Sequence, residues 1–187
     1  MPVRPLDRER DINAIMEIWL ESNAETHAFI PRSHWESEVE AAQEGILSAE
    51  ALVFEDGPDD IVGFACVADD RLEALFVRED RRGQGVGREL LDEAKSGHDS
   101  LDLEVYIQNP RAFSFFKREG FDQHGVMADP ATLKMRAMMR WSRGTGTFEI
   151  PDNLEEALAP IREEAGEGIY LRILEDIRSG NFEQEAN

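Results

Sequence analysis

Gly83, Gly85 and Gly87 follow a short apolar run at residues 72–77 and precede Val86, Leu90, Leu91 and Ala94, which share a helical spacing. A strand that passes through a glycine-rich turn into a helix aims several backbone N–H groups and a helix dipole at one point. That arrangement suits a phosphate or pyrophosphate. Glycines there allow close backbone approach and positive φ, and Arg82 can add a charged contact. Two nucleotide-binding patterns are excluded. A Walker loop needs lysine and then serine or threonine after its second glycine, and here Gly87 is followed by Arg88 and Glu89. A dinucleotide fingerprint needs a glycine three residues after the second, where Arg88 stands. Taken alone, the same run also reads as a plain tight turn. Cys66 is the one cysteine, and His34, His98 and His124 show no ligand spacing with an acidic partner, so no metal is expected.

The elements that must position this loop are legible from periodicity. Ile12, Ile15, Met16, Trp19 and Leu20 form one apolar helical stripe, with Asp7 or Asp11 as its cap. Ser33 to Glu36 reads as a capping box before a second helix that carries Trp35, Val39, Ala42 and Ile46. Residues 51–55 and 61–68 read as a hairpin around the turn at 56–60, and 72–77 as a third strand. Residues 101–106 alternate as a half-buried strand. Asn109 and Pro110 then open a helix with Phe113 and Phe116 on its buried side, and Gly120 closes it. Residues 121–126 and 134–141 are the expected last strands. This order of helices, then strands interleaved with helices, predicts a single α/β domain over residues 1–142. Residues 143–187 are expected to be a helical extension with acidic helices at 152–165 and 168–178. Their apolar positions (Leu154, Leu158, Ile161; Ile169, Ile173, Leu174, Ile177) need a surface, either on the domain or on a second copy in a homodimer.

Two segments resemble the GNAT superfamily of N-acetyltransferases. Arg82-Gly83-Gln84-Gly85-Val86-Gly87 is similar to the family's acetyl-CoA motif, Arg/Gln-x-x-Gly-x-Gly/Ala. The run from Asn109 through Ala112, Phe115-Phe116 and Gly120-Phe121 is similar to its second signature, Asn-x-x-Ala-x-x-Phe-Tyr-x-x-x-Gly-Phe. Ile18-Trp19, Ser22, Thr26-His27, Phe29 and His34-Trp35 resemble the YjaB-like branch. The likeness covers about residues 3–141. It implies a mixed, mostly antiparallel central sheet flanked by helices, followed by the acidic helical extension. It also implies acetyl-CoA as co-substrate, with the backbone of Leu75, Phe76 and Val77 on the pantetheine arm and the 82–87 loop on the pyrophosphate. Asn109 would contact the cofactor arm as well as cap its helix. Glu73, on the side of the strand shared by Leu75 and Val77, would be the base that frees the amine lone pair. Trp19, Ser22, His27 and Trp35 would line the acceptor pocket, with core packing as the alternative for the two tryptophans. The family's general acid is the tyrosine of Phe-Tyr, but this chain has Phe116, which in the family's arrangement would be an apolar wall of the cofactor channel. Its absence motivates a rival reading, a CoA-binding sensor or scaffold with weak catalysis.

Composition limits the partners. Forty acidic against 20 basic residues give a net charge of −20, which disfavours nucleic acid and anionic membrane surfaces. Apolar runs are a few residues long where a spanning helix needs about 20, and no signal-peptide stretch opens the chain, so a cytoplasmic protein is expected. Only Lys95, Lys117 and Lys134 are lysines, the other basic residues being arginine. An acidic, lysine-poor surface resembles that of proteins from salt-filled cytoplasm; net charge kept for solubility is the plainer account. The expected acceptor is a small-molecule or peptide amine.

Overall fold

The structure, a computed structural model, describes residues 2–144, 155, 159, 162 and 166–179. The chain divides into two compact units, Met1–Asp99 and Ser100–Asn187. In the first, β1 (Val3–Pro5), β2 (Glu50–Glu55), β3 (Ile61–Ala68) and β4 (Arg71–Val77) pair antiparallel in that order. Helices α1 (Ile12–Thr26), α2 (Arg32–Ser48) and α3 (Val86–Ser96) pack on them. β3 is buried at seven successive residues, so both of its faces are covered, and α1 and α3 both lie against it. Gly63 makes the α3 contact close. A Cβ there would stand 2.9 Å from the Phe76 carbonyl oxygen and 3.2 Å from the side chains of Val86 and Leu90. Glycine therefore lets the first turn of α3, just behind the loop, settle on the sheet.

Two expected capping interactions do not form. Asp11 precedes α1 but makes no capping bond. Its buried carboxylate instead accepts from Arg4 Nη1 at 2.6 Å, Arg10 Nε at 3.0 Å and the Asp7 N–H at 2.9 Å. Arg4 Nε also reaches Glu55 at 2.6 Å, so one charged cluster ties β1, the start of α1 and the end of β2. Nor does the capping box form: α2 starts at Arg32 after Pro31, and Glu36 accepts from Arg32 Nε at 3.1 Å. The stripe behind it is as expected, with Trp35 and Ile46 buried. β1 escaped detection because three residues ending in proline carry no alternation.

The second unit places β7 (Met135–Ser142) between β5 (Ser100–Tyr106) and β6 (Asp122–Ala128), again antiparallel. α4 (Pro110–Arg118) begins as the sequence predicts, with Asn109 Oδ1 accepting the Ala112 N–H at 3.1 Å. Phe113 and Phe116 are buried. The last helix, α5 (Glu167–Ser179), packs against α4 and buries Tyr170 and Leu174. Part of the extension thus finds its surface on its own chain. Leu154, Leu158 and Ile161 of the expected 152–165 helix lie outside the described residues. No described helix is long and apolar enough to cross a membrane. The seven strands, antiparallel wherever they pair within a unit and flanked by helices, give the α/β architecture expected.

Candidate active site

β4 leads from the sheet into the glycine loop. Ala74 pairs with Cys66 and Leu72 with Val67, so Glu73 is the extra residue of a bulge. Leu72 and Ala74 are buried, Glu73 is exposed, and Leu75, Phe76 and Val77 emerge half-buried. A single 3-10 turn, Glu79–Arg81, intervenes before the loop. Gly83 and Gly85 have φ of +75° and +91°, and a Cβ on either would enter open space. The backbone conformation, not crowding by the protein, therefore requires glycine, and it leaves a cradle in front of the loop. Gly85 also precedes α3, which has no side-chain cap, and Glu89 N–H to Gly85 O at 3.0 Å is the first helical bond. The N–H groups of Val86, Gly87 and Arg88 accordingly have no carbonyl within the helix. An uncapped helix start behind two left-handed glycines fits a pyrophosphate.

Arg82 differs from the expected charged contact. Its Nε donates to the Val77 carbonyl at 2.9 Å, and Nη1 and Nη2 donate to the two carboxylate oxygens of Glu25 at 2.6 and 2.7 Å. With an 11% exposed side chain, the guanidinium clamps β4 to α1, and anion contact falls to the loop backbone. Sequence reasoning missed Glu25, since a partner 57 residues away leaves no local signal.

Glu73 retains 48% of its side-chain exposure and is paired only loosely, with Arg71 Nε at 3.1 Å. A carboxylate so placed can take a proton directly or through water. Cys66 is buried, and desolvation together with the nearby Glu73 charge pushes its thiol up to about 11, so it is a poor nucleophile.

Trp19, Ser22, His27 and Trp35 come together, but as packing between α1 and α2, each less than a tenth exposed. The two indoles meet edge-on at 6.1 Å and the His27 ring lies 5.5 Å from Trp35. His27 Nδ1 pairs with Asn23 Oδ1 at 3.0 Å, and Asn23 Nδ2 donates to the Trp19 carbonyl at 3.0 Å.

In the second unit Phe116 packs edge-on against Phe115 and Phe121, at 5.2 and 5.5 Å, and offers no proton. Tyr106 does not replace the missing acid. Its hydroxyl donates to Asp129 Oδ2 at 2.5 Å and accepts from Arg136 Nη2 at 2.7 Å. Burial and that carboxylate raise its pKa. Burial also pushes the Asp129 carboxyl up, but hydrogen bonds from Thr132, Tyr106 and the Ala131 N–H outweigh it and hold the group at about 2. Asp129-Pro130 is a turn signal present in the sequence itself.

A strand with a bulged carboxylate leads through a left-handed glycine turn into an uncapped helix, and residues 48–123, which contain all three, match a family model described as an acetyltransferase (GNAT) domain. The chain belongs to the GNAT superfamily and is an N-acetyltransferase. It is 32% identical over 113 residues to the peptidyl-lysine N-acetyltransferase YiaC of Escherichia coli, covering 59% of this chain and 77% of that protein. To YjaB of the same organism, also a peptidyl-lysine N-acetyltransferase by name, it is 33% identical over 119 residues, covering 63% and 80%. The solution structure of apo YjaB from Escherichia coli superposes with a TM-score of 0.66 at 27% identity, covering 74% of this chain and 95% of that one. The structure of yncA from Salmonella typhimurium with acetyl-CoA shares the fold, with a TM-score of 0.54 at 20% identity over 80% and 96% of the two chains.

Proposed function

We propose that this protein transfers the acetyl group of acetyl-CoA to a primary amine, and that its acceptor is the lysine side chain of a peptide or protein. The observation that carries the cofactor is the uncapped start of α3 behind Gly83 and Gly85. The acceptor class rests on the names of the two Escherichia coli relatives. Residues 1–142 are the catalytic domain in this reading and 143–187 an extension beyond it.

Acetyl-CoA supplies the acetyl group as a thioester with a thiol leaving group. The amine nitrogen forms a bond to the carbonyl carbon as the carbon–sulfur bond breaks. The loop from Arg82 to Gly87 anchors the pyrophosphate through its N–H groups, and the backbone of Leu75, Phe76 and Val77 orients the pantetheine arm. Glu73 takes the proton that the amine loses, directly or through water. No side-chain acid is needed: a thiol of ordinary pKa about 8.5 leaves without one, so Phe116 slows turnover and does not prevent it.

Free thiol release from acetyl-CoA, measured on lysyl peptides and small amines in low salt and in molar KCl, tests this. Release on the peptides supports the proposal. Binding without release on any amine would favour the sensor reading, and absence of binding at either salt removes the cofactor assignment. The salt comparison also tests whether the acidic surface is adapted to salt, because screening at molar strength shortens the range of its self-repulsion to about 3 Å.

Glu73→Gln should lower kcat/KM about 100-fold at pH 7, the low end of what general-base assistance contributes. The deficit should shrink as the pH rises through about 10.4, where a lysine amine loses its proton without help. A variant as active as the wild type across the pH range would remove Glu73 from this role.

A further inference from the structure

Arg82 opens the glycine loop, yet three of the five N–H donors a guanidinium carries are held by protein acceptors. The Val77 carbonyl lies at the end of β4, and Glu25 in the last turn of α1, beside Ser22, Asn23 and His27. The pair is bidentate and short, the strongest form of a charged contact between side chains, and its arginine is nearly enclosed. Both carboxylate oxygens of Glu25 hold that fork. Gly83 and Gly85, immediately after Arg82, are the conformationally freest residues of the turn. Without a fixed entry the N–H groups at the start of α3 would not converge.

We propose that Glu25 is a positioning residue for the cofactor loop: through Arg82 it fixes the exit of β4 and so pre-organises the backbone anion site, and the Arg82 side chain is a strut and not a phosphate ligand. This rests on the reading of the loop as the acetyl-CoA site, but the strut itself can be tested without the cofactor.

Two variants conserve charge and break the geometry. Glu25→Asp retracts the carboxylate by one methylene, and Arg82→Lys replaces the planar fork with a point charge that cannot reproduce its paired parallel bonds to the carboxylate. In the free protein, each should lower the backbone order parameters of Gly83, Gly85 and Gly87, from about 0.85 towards 0.6. Each should also raise the acetyl-CoA dissociation constant about tenfold, with most of the kcat/KM loss in KM, and the double variant should be no worse than either single one, because both remove the same strut. Unchanged loop order in the free protein overturns the proposal, whatever the affinity. Additive losses, or tighter binding by Glu25→Gln alongside unaffected loop order, would instead make Arg82 a phosphate ligand that Glu25 competes for. A wild type that binds no acetyl-CoA would defeat the cofactor reading, and the order parameters would still decide the strut.

Discussion

Gly85→Val should weaken acetyl-CoA binding about 100- to 1000-fold while leaving the protein folded. Gly85 sits at φ +91°, and a β-branched residue there costs on the order of 1–3 kcal/mol of backbone strain. The chain can relieve that strain only by rotating the peptide units that lead into α3. Rotation turns the N–H groups of Val86 and Gly87 away from the cradle, and hydrogen bonds to charged groups contribute about 1.5–3 kcal/mol each. The new side chain would also project into the open space in front of the loop. The dissociation constant from calorimetry and the melting temperature from the same preparation separate the two effects. Retained affinity in a folded variant would mean that the loop is a turn and that the anion is bound elsewhere.

The second large effect is on stability, at the cluster joining β1, α1 and β2. Asp11, with 1% of its side chain exposed, is the acceptor for Arg4, Arg10 and the Asp7 N–H. Its arginine partners are partly exposed and keep Glu55, so the cost is that of lost hydrogen bonds to a charged group, about 1.5–3 kcal/mol. Asp11→Ala should therefore lower the melting temperature by roughly 3–12 °C at the usual 2–4 °C per kcal/mol for a chain of this size. The pH dependence follows from the same contacts. Burial raises the Asp11 carboxyl, but hydrogen bonds from Arg4, the Asp7 N–H and Arg10 outweigh it and hold the group at about 2. A folded pKa below the unfolded one gives stability that is complete above about pH 5 and is lost as pH falls through 4 towards 2. The difference corresponds to on the order of 2 kcal/mol, and Asp129, also held at about 2, adds a similar component. Denaturant melts from pH 7 to 2 should therefore show the wild type and Asp11→Asn converging as the pH drops. A constant gap would mean that the cluster acts through packing and not through charge.

Much of the frame follows from residues close together in sequence. Stripes at helical spacing placed α1, α3 and α4, alternation placed β5, and Asn109-Pro110 placed the start of α4 with its capping bond. The spacing of Gly83, Gly85 and Gly87 announced a loop with left-handed residues, because tolerance of positive φ is local to glycine; Gly83 and Gly85 adopt it, and Gly87 falls inside α3. Those features recur wherever the same few residues occur, which is why two short motifs sufficed to identify the family.

The rest depends on which distant groups the fold brings together. Asp11 was placed to cap α1, but Arg4 and Arg10 outbid the helix end for its carboxylate once β1 paired with β2. Ser33 and Glu36 satisfied the pattern of a capping box, yet Arg32 took Glu36 and the helix began two residues early. Trp19 and Trp35 had two readings, and burial of both indoles between α1 and α2 made them scaffold. Arg82 belongs to the motif by position, but its partner is on α1. A charged side chain has a reach of several ångströms and no periodic signature, so its partner is chosen by packing. Backbone conformation and apolar periodicity were thus determined locally by the sequence of this protein, and only the tertiary structure decided what each charge and each buried ring would touch.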